Sequence, residues 1–142
     1  MTEKVLLVDD EEEFLEIMAE RMRARDMEVT TSKSATEALS LIETESYDAV
    51  IMDFMMPEMD GIQALKAIKA KKPEMQIILL TGQATVAKGV EAMKAGAVDF
   101  VEKPADLDAL SEKIKEAHNQ KAVIVQKQSQ KKVIDMLKKY GM

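Results

Sequence analysis

The chain has 142 residues, 46% apolar and 32% charged, a balance that suits one globular domain with room for a short appendage. It has no cysteine, which removes disulfides, thiolate metal sites and cysteine nucleophiles, and fits a reducing compartment. The net charge of -6 is uneven: residues 1–104 hold 12 Lys and Arg against 21 Asp and Glu, while residues 105–142 hold 8 against 5, so the acidic body argues against nucleic acid and only the tail is basic.

Four apolar runs punctuate the chain: Val5–Val8, Ala49–Met52, Ile77–Leu80 and Ala122–Val125. None exceeds four residues, far short of the roughly 20 of a membrane span or the 7–15 of a secretory leader, so a soluble, cytoplasmic protein without a membrane span is expected. The first three runs show no alternation, as parallel strands covered on both faces do not. Between them the spacing is helical. Phe14, Leu15, Met18 and Met22 predict a helix over Glu12–Arg25, and the short segment Glu28–Thr31 a strand. Ser34-Ala35-Thr36-Glu37 reads as a capping box opening a helix with Ala38, Leu41 and Ile42 inward. Gly61 precedes a helix carrying Ile62, Leu65 and Ile68. Ala84–Ala95 carries Val86, Val90 and Met93 at helical spacing, with Gly96 as its cap, and Asp99–Val101 supplies a fifth strand. A last helix runs from Asp106 to about His118 with Leu107, Leu110, Ile114 and Ala117 inward. Strand and helix alternate five times, which predicts an α/β, doubly wound parallel sheet with right-handed crossovers.

The tail is read separately. Gln126–Lys132 is wholly polar, and Val133, Ile134, Met136, Leu137 and Tyr140 mark a short amphipathic helix over Lys131–Tyr140. Residues 1–120 form the expected domain and 121–142 a basic amphipathic tail, too short for an output domain. Several readings of the tail stay open: frayed chain, an extension of the last helix, docking on a neighbouring subunit, or contact with an acidic surface or an anionic membrane.

In such a sheet, ligands bind beyond the carboxyl ends of the strands. Asp9 and Asp10 follow the first strand, Asp53 the third, Thr81 the fourth, and Glu102-Lys103 the fifth. Each alone has a bland explanation. Acids favour a helix N-terminus, Asp53 could cap a helix, and Lys103 could be a surface amine. Together they place three carboxylates, a hydroxyl and an amine on one edge. Clustered carboxylates repel unless a cation shares them, and an oxygen-only set suits Mg²⁺. Of the methionines near this edge, Met52 and Met59 are expected in the core and Met55 and Met56 at the lip. His118 is expected in solvent.

The motifs Val-Leu-Leu-Val-Asp-Asp (5–10), Asp53-Phe-Met-Met-Pro-Glu-Met-Asp-Gly61, Leu-Thr-Gly (80–82) and Ala-Gly-Ala-Val-Asp-Phe-Val-Glu-Lys-Pro (95–104) resemble, in order and spacing, the receiver domain of two-component response regulators, the CheY family. The resemblance covers residues 3 to about 118. It implies the sheet order 2-1-3-4-5, with Asp53 accepting a phosphoryl group from a histidine kinase or phosphotransfer protein. It implies Mg²⁺ held by Asp9, Asp10, Asp53 and the Met55 carbonyl, and Thr81 and Lys103 contacting the phosphoryl oxygens. It further implies a cis bond before Pro104 and a conformational switch linking Thr81 to Phe100, although Phe100 reads equally well as strand core. The stretch from Thr81-Gly82-Gln83 to Ala97 looks like receivers that regulate σ54-type activators. The function so implied is a stand-alone phosphoacceptor switch of a phosphorelay, acting on an unknown downstream protein or through a phosphorylation-linked homodimer, and not an enzyme in its own right. Two rivals stay open: a Mg²⁺-dependent phosphatase of the haloacid-dehalogenase type, whose Asp-x-Asp pattern after its first strand is not matched by Asp9-Asp10-Glu11, and a DNA-binding regulator acting through the tail.

Overall fold

A computed structural model describes residues 2–82, 85–103 and 106–139. Five strands, β1 (Lys4–Val8), β2 (Glu28–Ser32), β3 (Ala49–Asp53), β4 (Ile77–Thr81) and β5 (Asp99–Glu102), alternate with α1 (Glu12–Arg23), α2 (Ala35–Thr44), α3 (Gly61–Lys71), α4 (Val86–Lys94) and α5 (Leu107–Lys139). All pairings are parallel and the order is β2-β1-β3-β4-β5, as the resemblance implies. Val5–Val8, Ala49–Met52 and Ile77–Leu80 are buried along their whole length. Alternate residues of these strands serve opposite faces, so one run feeds two cores. Val5, Leu7, Ile51 and Ile78 pack with Leu15, Met22 and Ile114 from α1 and α5, while Leu6, Val50, Met52 and Ile77 pack with Ile42, Leu65 and Ile68 from α2 and α3.

Local chemistry sets the helix ends. The Ser34 hydroxyl accepts from the Glu37 N–H at 3.1 Å, but the Ser34 N–H turns back to the Ser32 hydroxyl, so the expected capping box is only half formed. The reciprocal box stands instead at Asp60 and Gln63, at the head of α3. Gly96 adopts φ +105°, with its N–H on the Met93 carbonyl and the Ala97 N–H on the Ala92 carbonyl, a Schellman closure of α4.

Three features of the surface are decided by the folded chain. Val86, Val90 and Met93 of α4 are 85%, 47% and 50% exposed, and Ala92 is the buried residue of that helix. Apolar spacing marks a stripe but not what covers it. His118 is not solvated: its Nδ1 lies 2.7 Å from an Asp48 carboxylate oxygen, with a quarter of the side chain exposed. Finally, α5 runs past 118 to Lys139, so Ala122–Val125 and the predicted tail helix belong to it, and of the readings left open for the tail the extension of the last helix is the one seen. Tyr140 lies outside the described residues. No helix among the described residues is long and apolar enough to cross a membrane.

Candidate functional site

The parallel register brings the strand ends together. Met52 of β3 stands beside Val8 and Leu79, so Asp53 emerges level with Asp9, the residue after β1, and beside Leu80, one residue before Thr81. The Lys103 N–H donates to the Thr81 carbonyl at 2.7 Å, which ties the end of β5 to the end of β4. Asp9, Asp10 and Asp53 each offer a carboxylate oxygen within 4.8 Å of the others. Lys103 Nζ lies 2.6 Å from Asp9, 3.6 Å from Asp53 and 3.7 Å from Glu11, above the Phe14 ring at 4.3 Å. A cavity of about 340 Å³ opens here, lined by Asp10, Glu11, Asp53, Thr81, Lys88 and Lys103 among others. Asp53 is 6% exposed yet forms part of that wall, so a small anion reaches it from solvent.

These are the features by which one family is recognised, and comparison with known proteins decides the matter. Residues 5–115 match the model of the response regulator receiver domain. The chain belongs to this family. It is 38% identical over 113 residues to the transcriptional regulatory protein ZraR of Salmonella typhimurium, an alignment spanning 80% of this chain and 26% of that protein. The chain thus spans about a quarter of the length of that relative. Among solved structures, a response regulator receiver domain protein from Clostridium thermocellum superposes with a TM-score of 0.81 at 35% identity, covering 86% of this chain and 98% of the other. The beryllofluoride-activated NtrC4 receiver domain dimer gives 0.79 at 30%, covering 83% and 98%.

The electrostatics of this receiver are unbalanced. Burial, then the neighbouring charge of Asp9, pushes the Asp53 carboxyl up to about 6, against the pull of Lys103 and of the Met55 N–H that it accepts. Burial likewise raises Asp9, although its two oxygens accept from Lys103 and from the Glu11 N–H at 2.9 Å. Burial alone would lower Lys103, but the hydrogen bond and charge of Asp9, then Asp53 and Glu11, hold it above its usual value. The Lys103 ammonium therefore serves an acid cluster that it does not neutralise by itself. A hard divalent cation fits the remainder, because all the donors are oxygens and Asp10 is exposed.

Asp9, Asp10, Asp53, Thr81 and Lys103 all converge. The Met55 side chain is 63% exposed at the lip, as expected, but Met56 is buried in the core beside Phe54. Phe100 is half-buried and meets Phe54 edge-on, with centroids 6.0 Å apart at 82°. Pro104 and its peptide bond lie outside the described residues. Sequence reasoning missed three participants. Glu11 was visible in the acidic run but read as a helix-dipole residue, and Phe14 as core. Lys88, 5.3 Å from the Phe54 ring centroid, carried no motif at all.

Proposed function

We propose that this receiver is a phosphoacceptor switch in which an Asp53 carboxylate oxygen attacks the phosphorus of a phosphohistidine on a partner kinase or phosphotransfer protein. The P–N bond breaks, its electron pair returns to the imidazole, and an aspartyl phosphate remains. The observation that carries this reading is the convergence of Asp53 with the part-buried Lys103–Asp9 pair and a further carboxylate at an open pocket. Asp9, Asp10, Asp53 and the Met55 carbonyl would hold Mg²⁺, which when bound neutralises charge on the transferring group. Lys103 and the Thr81 hydroxyl supply the opposing donors, so the chain contributes position and charge rather than covalent chemistry beyond Asp53.

Once Thr81 is drawn toward the phosphoryl group, the space behind it admits the Phe100 ring. That ring already leans on Phe54, the neighbour of the phosphoacceptor, and lies against α4, where a Cβ on Gly89 would come within 3.4 Å of it. Phosphorylation then shifts the protein only by the difference in contacts between the two arrangements. The readers of that shift are partner proteins or a second receiver; the beryllofluoride-activated NtrC4 receiver domain is itself a dimer. We assign residues 1–120 to the switch and 121–142 to a tail, and the whole acts as a signalling protein of the cytoplasm rather than a turnover enzyme.

Incubation with acetyl phosphate and Mg²⁺, read by intact mass, tests this. One phosphoryl mass is expected on the wild type and none on Asp53→Ala. A wild type that gains nothing, or gains phosphate equally after that substitution, overturns the reading, and multiple turnovers on a phosphomonoester would favour the phosphatase instead.

A further inference from the structure

Lys88 breaks a local rule of helix building. It is the third residue of α4, whose first turn holds no acid, and a cation at that place is opposed by the helix macrodipole. The backbone there is well served, since the Thr85 hydroxyl accepts the Lys88 N–H at 3.2 Å. The charge of the side chain gains nothing from the helix that carries it. Where a sequence sets local preference aside in this way, the residue points to function.

Its side chain reaches the phosphoacceptor pocket. Lys88 is half-buried and lines the cavity of about 340 Å³ together with Asp53, Thr81 and Lys103. Its ammonium stands over the ring of Phe54, the residue after Asp53, with the nitrogen 5.3 Å from the centroid. Lys103 enters the same cavity from the end of β5 and rests over a different ring, Phe14, at 4.3 Å. Two ammoniums therefore approach one pocket from two elements. Lys103 already serves Asp9, Asp53 and Glu11.

Charge decides what the second one is for. Asp10 and Glu11 line the cavity beside Asp53, so a phosphoryl donor, itself an anion, meets an acidic mouth. Transfer deepens the imbalance, because a carboxylate with one negative charge becomes a phosphorylated group with about two. Among the described residues that line the cavity, the cations are Lys88 and Lys103. A lysine stem is flexible and its ammonium has three donors, so it can leave an aromatic face for a phosphoryl oxygen, and the charge-assisted hydrogen bond is the stronger of the two contacts.

We propose that Lys88 is a second cationic donor of this site. It draws phosphoryl anions into the acidic mouth and, once Asp53 is phosphorylated, exchanges the Phe54 ring for a phosphoryl oxygen. The inference rests on the reading of Asp53 as phosphoacceptor, and adds to it the residue through which α4 meets the transferred group.

Two measurements on the 142-residue chain test it, both at low ionic strength and fixed millimolar Mg²⁺. One is the binding of beryllofluoride, the anion that activates the NtrC4 receiver, followed by fluorine NMR. The other is the rate of phosphorylation by acetyl phosphate, followed by intact mass. Lys88→Met keeps most of the side-chain length and removes the charge; it should weaken binding and slow the reaction, each by about fivefold or more, and Lys88→Arg should restore most of both. Both losses should shrink in about 0.5 M salt, where an exposed charge is screened over a few ångströms. Lys94→Met, which removes the same charge from the last turn of α4, should change neither quantity, and all three variants should keep the wild-type thermal transition. A wild type that neither binds beryllofluoride nor gains phosphate overturns the reading of Asp53, and this inference with it. A wild type that does both while Lys88→Met keeps pace overturns this inference alone, as does a Lys88→Arg protein no better than Lys88→Met or an equal loss in Lys94→Met.

Discussion

Helices α3 and α4 follow neighbouring strands, β3 and β4, yet the fold uses them differently. α3 buries Ile62, Ala64, Leu65 and Ile68, and its first residue is clamped: a Cβ on Gly61 would fall 2.9 Å from the Phe54 Cα, and the Gly61 N–H donates to the Phe54 carbonyl at 2.7 Å. α4 buries only Ala92, and presents Val86, Val90 and Met93 to solvent. The difference separates a support from a movable part. α3 holds the loop after Asp53 in place, while α4 buries a single residue among its described ones and is expected to open at smaller cost.

The largest effect expected from this contrast is on the support. Ile68→Ala should lose about 2–5 kcal/mol in denaturant unfolding, because the side chain is fully buried and its site cannot collapse; a loss below about 1 kcal/mol would break the comparison. Next comes Gly61→Ala, which forces a methyl onto backbone and should cost about 1–3 kcal/mol by the same measurement.

Of similar size but opposite sign is the acid between the two helices. Asp53 has an ordinary value near 3.8 and about 6 in the fold, so the folded state holds its proton more tightly than the unfolded chain. Stability from this group is therefore full below about pH 4 and lost as pH rises through 6, a change on the order of 3 kcal/mol. Asp53→Asn should be the more stable protein at pH 8 in chelator, with the gap closing toward pH 5. Millimolar Mg²⁺ should raise the wild-type melting temperature at pH 8 more than at pH 5, and more than it raises the Asn variant. An unchanged wild-type transition would count against the cation site.

Smallest of all, Val90→Ala on α4 should stay within about 0.5 kcal/mol. Amide exchange should show α4 opening before α3, and acetyl phosphate with Mg²⁺ should change protection at α4 and β5 while leaving α3 unaltered. Uniform protection across both helices would remove the distinction.

Most of the site is legible in the amino-acid order. Asp9, Asp53, Thr81 and Lys103 each stand at or just beyond a strand's carboxyl end, and parallel pairing carries all such ends to one edge. The contributions of Glu11, Phe14 and Lys88 were not legible, because each depends on where a long side chain reaches and not on its place in a pattern. Met56 shows the same limit in reverse: it lies in a loop, next to the exposed Met55, and only the packing of that loop against α3 decides that it is covered.

On its own, the amino-acid order determined the alternation of strands and helices, the two cores served by each apolar run, and the chemistry of the sheet edge, since all of these follow from local periodicity and from residue type at strand ends. Tertiary structure alone decided which apolar stripes find cover. The stripe of α4 and the apolar positions Val133, Ile134, Met136 and Leu137 near the end of α5 are as regular as the stripe of α3, but a stripe is a property of one segment and its burial a property of two. Only the folded chain shows that α3 meets the sheet while those two meet solvent.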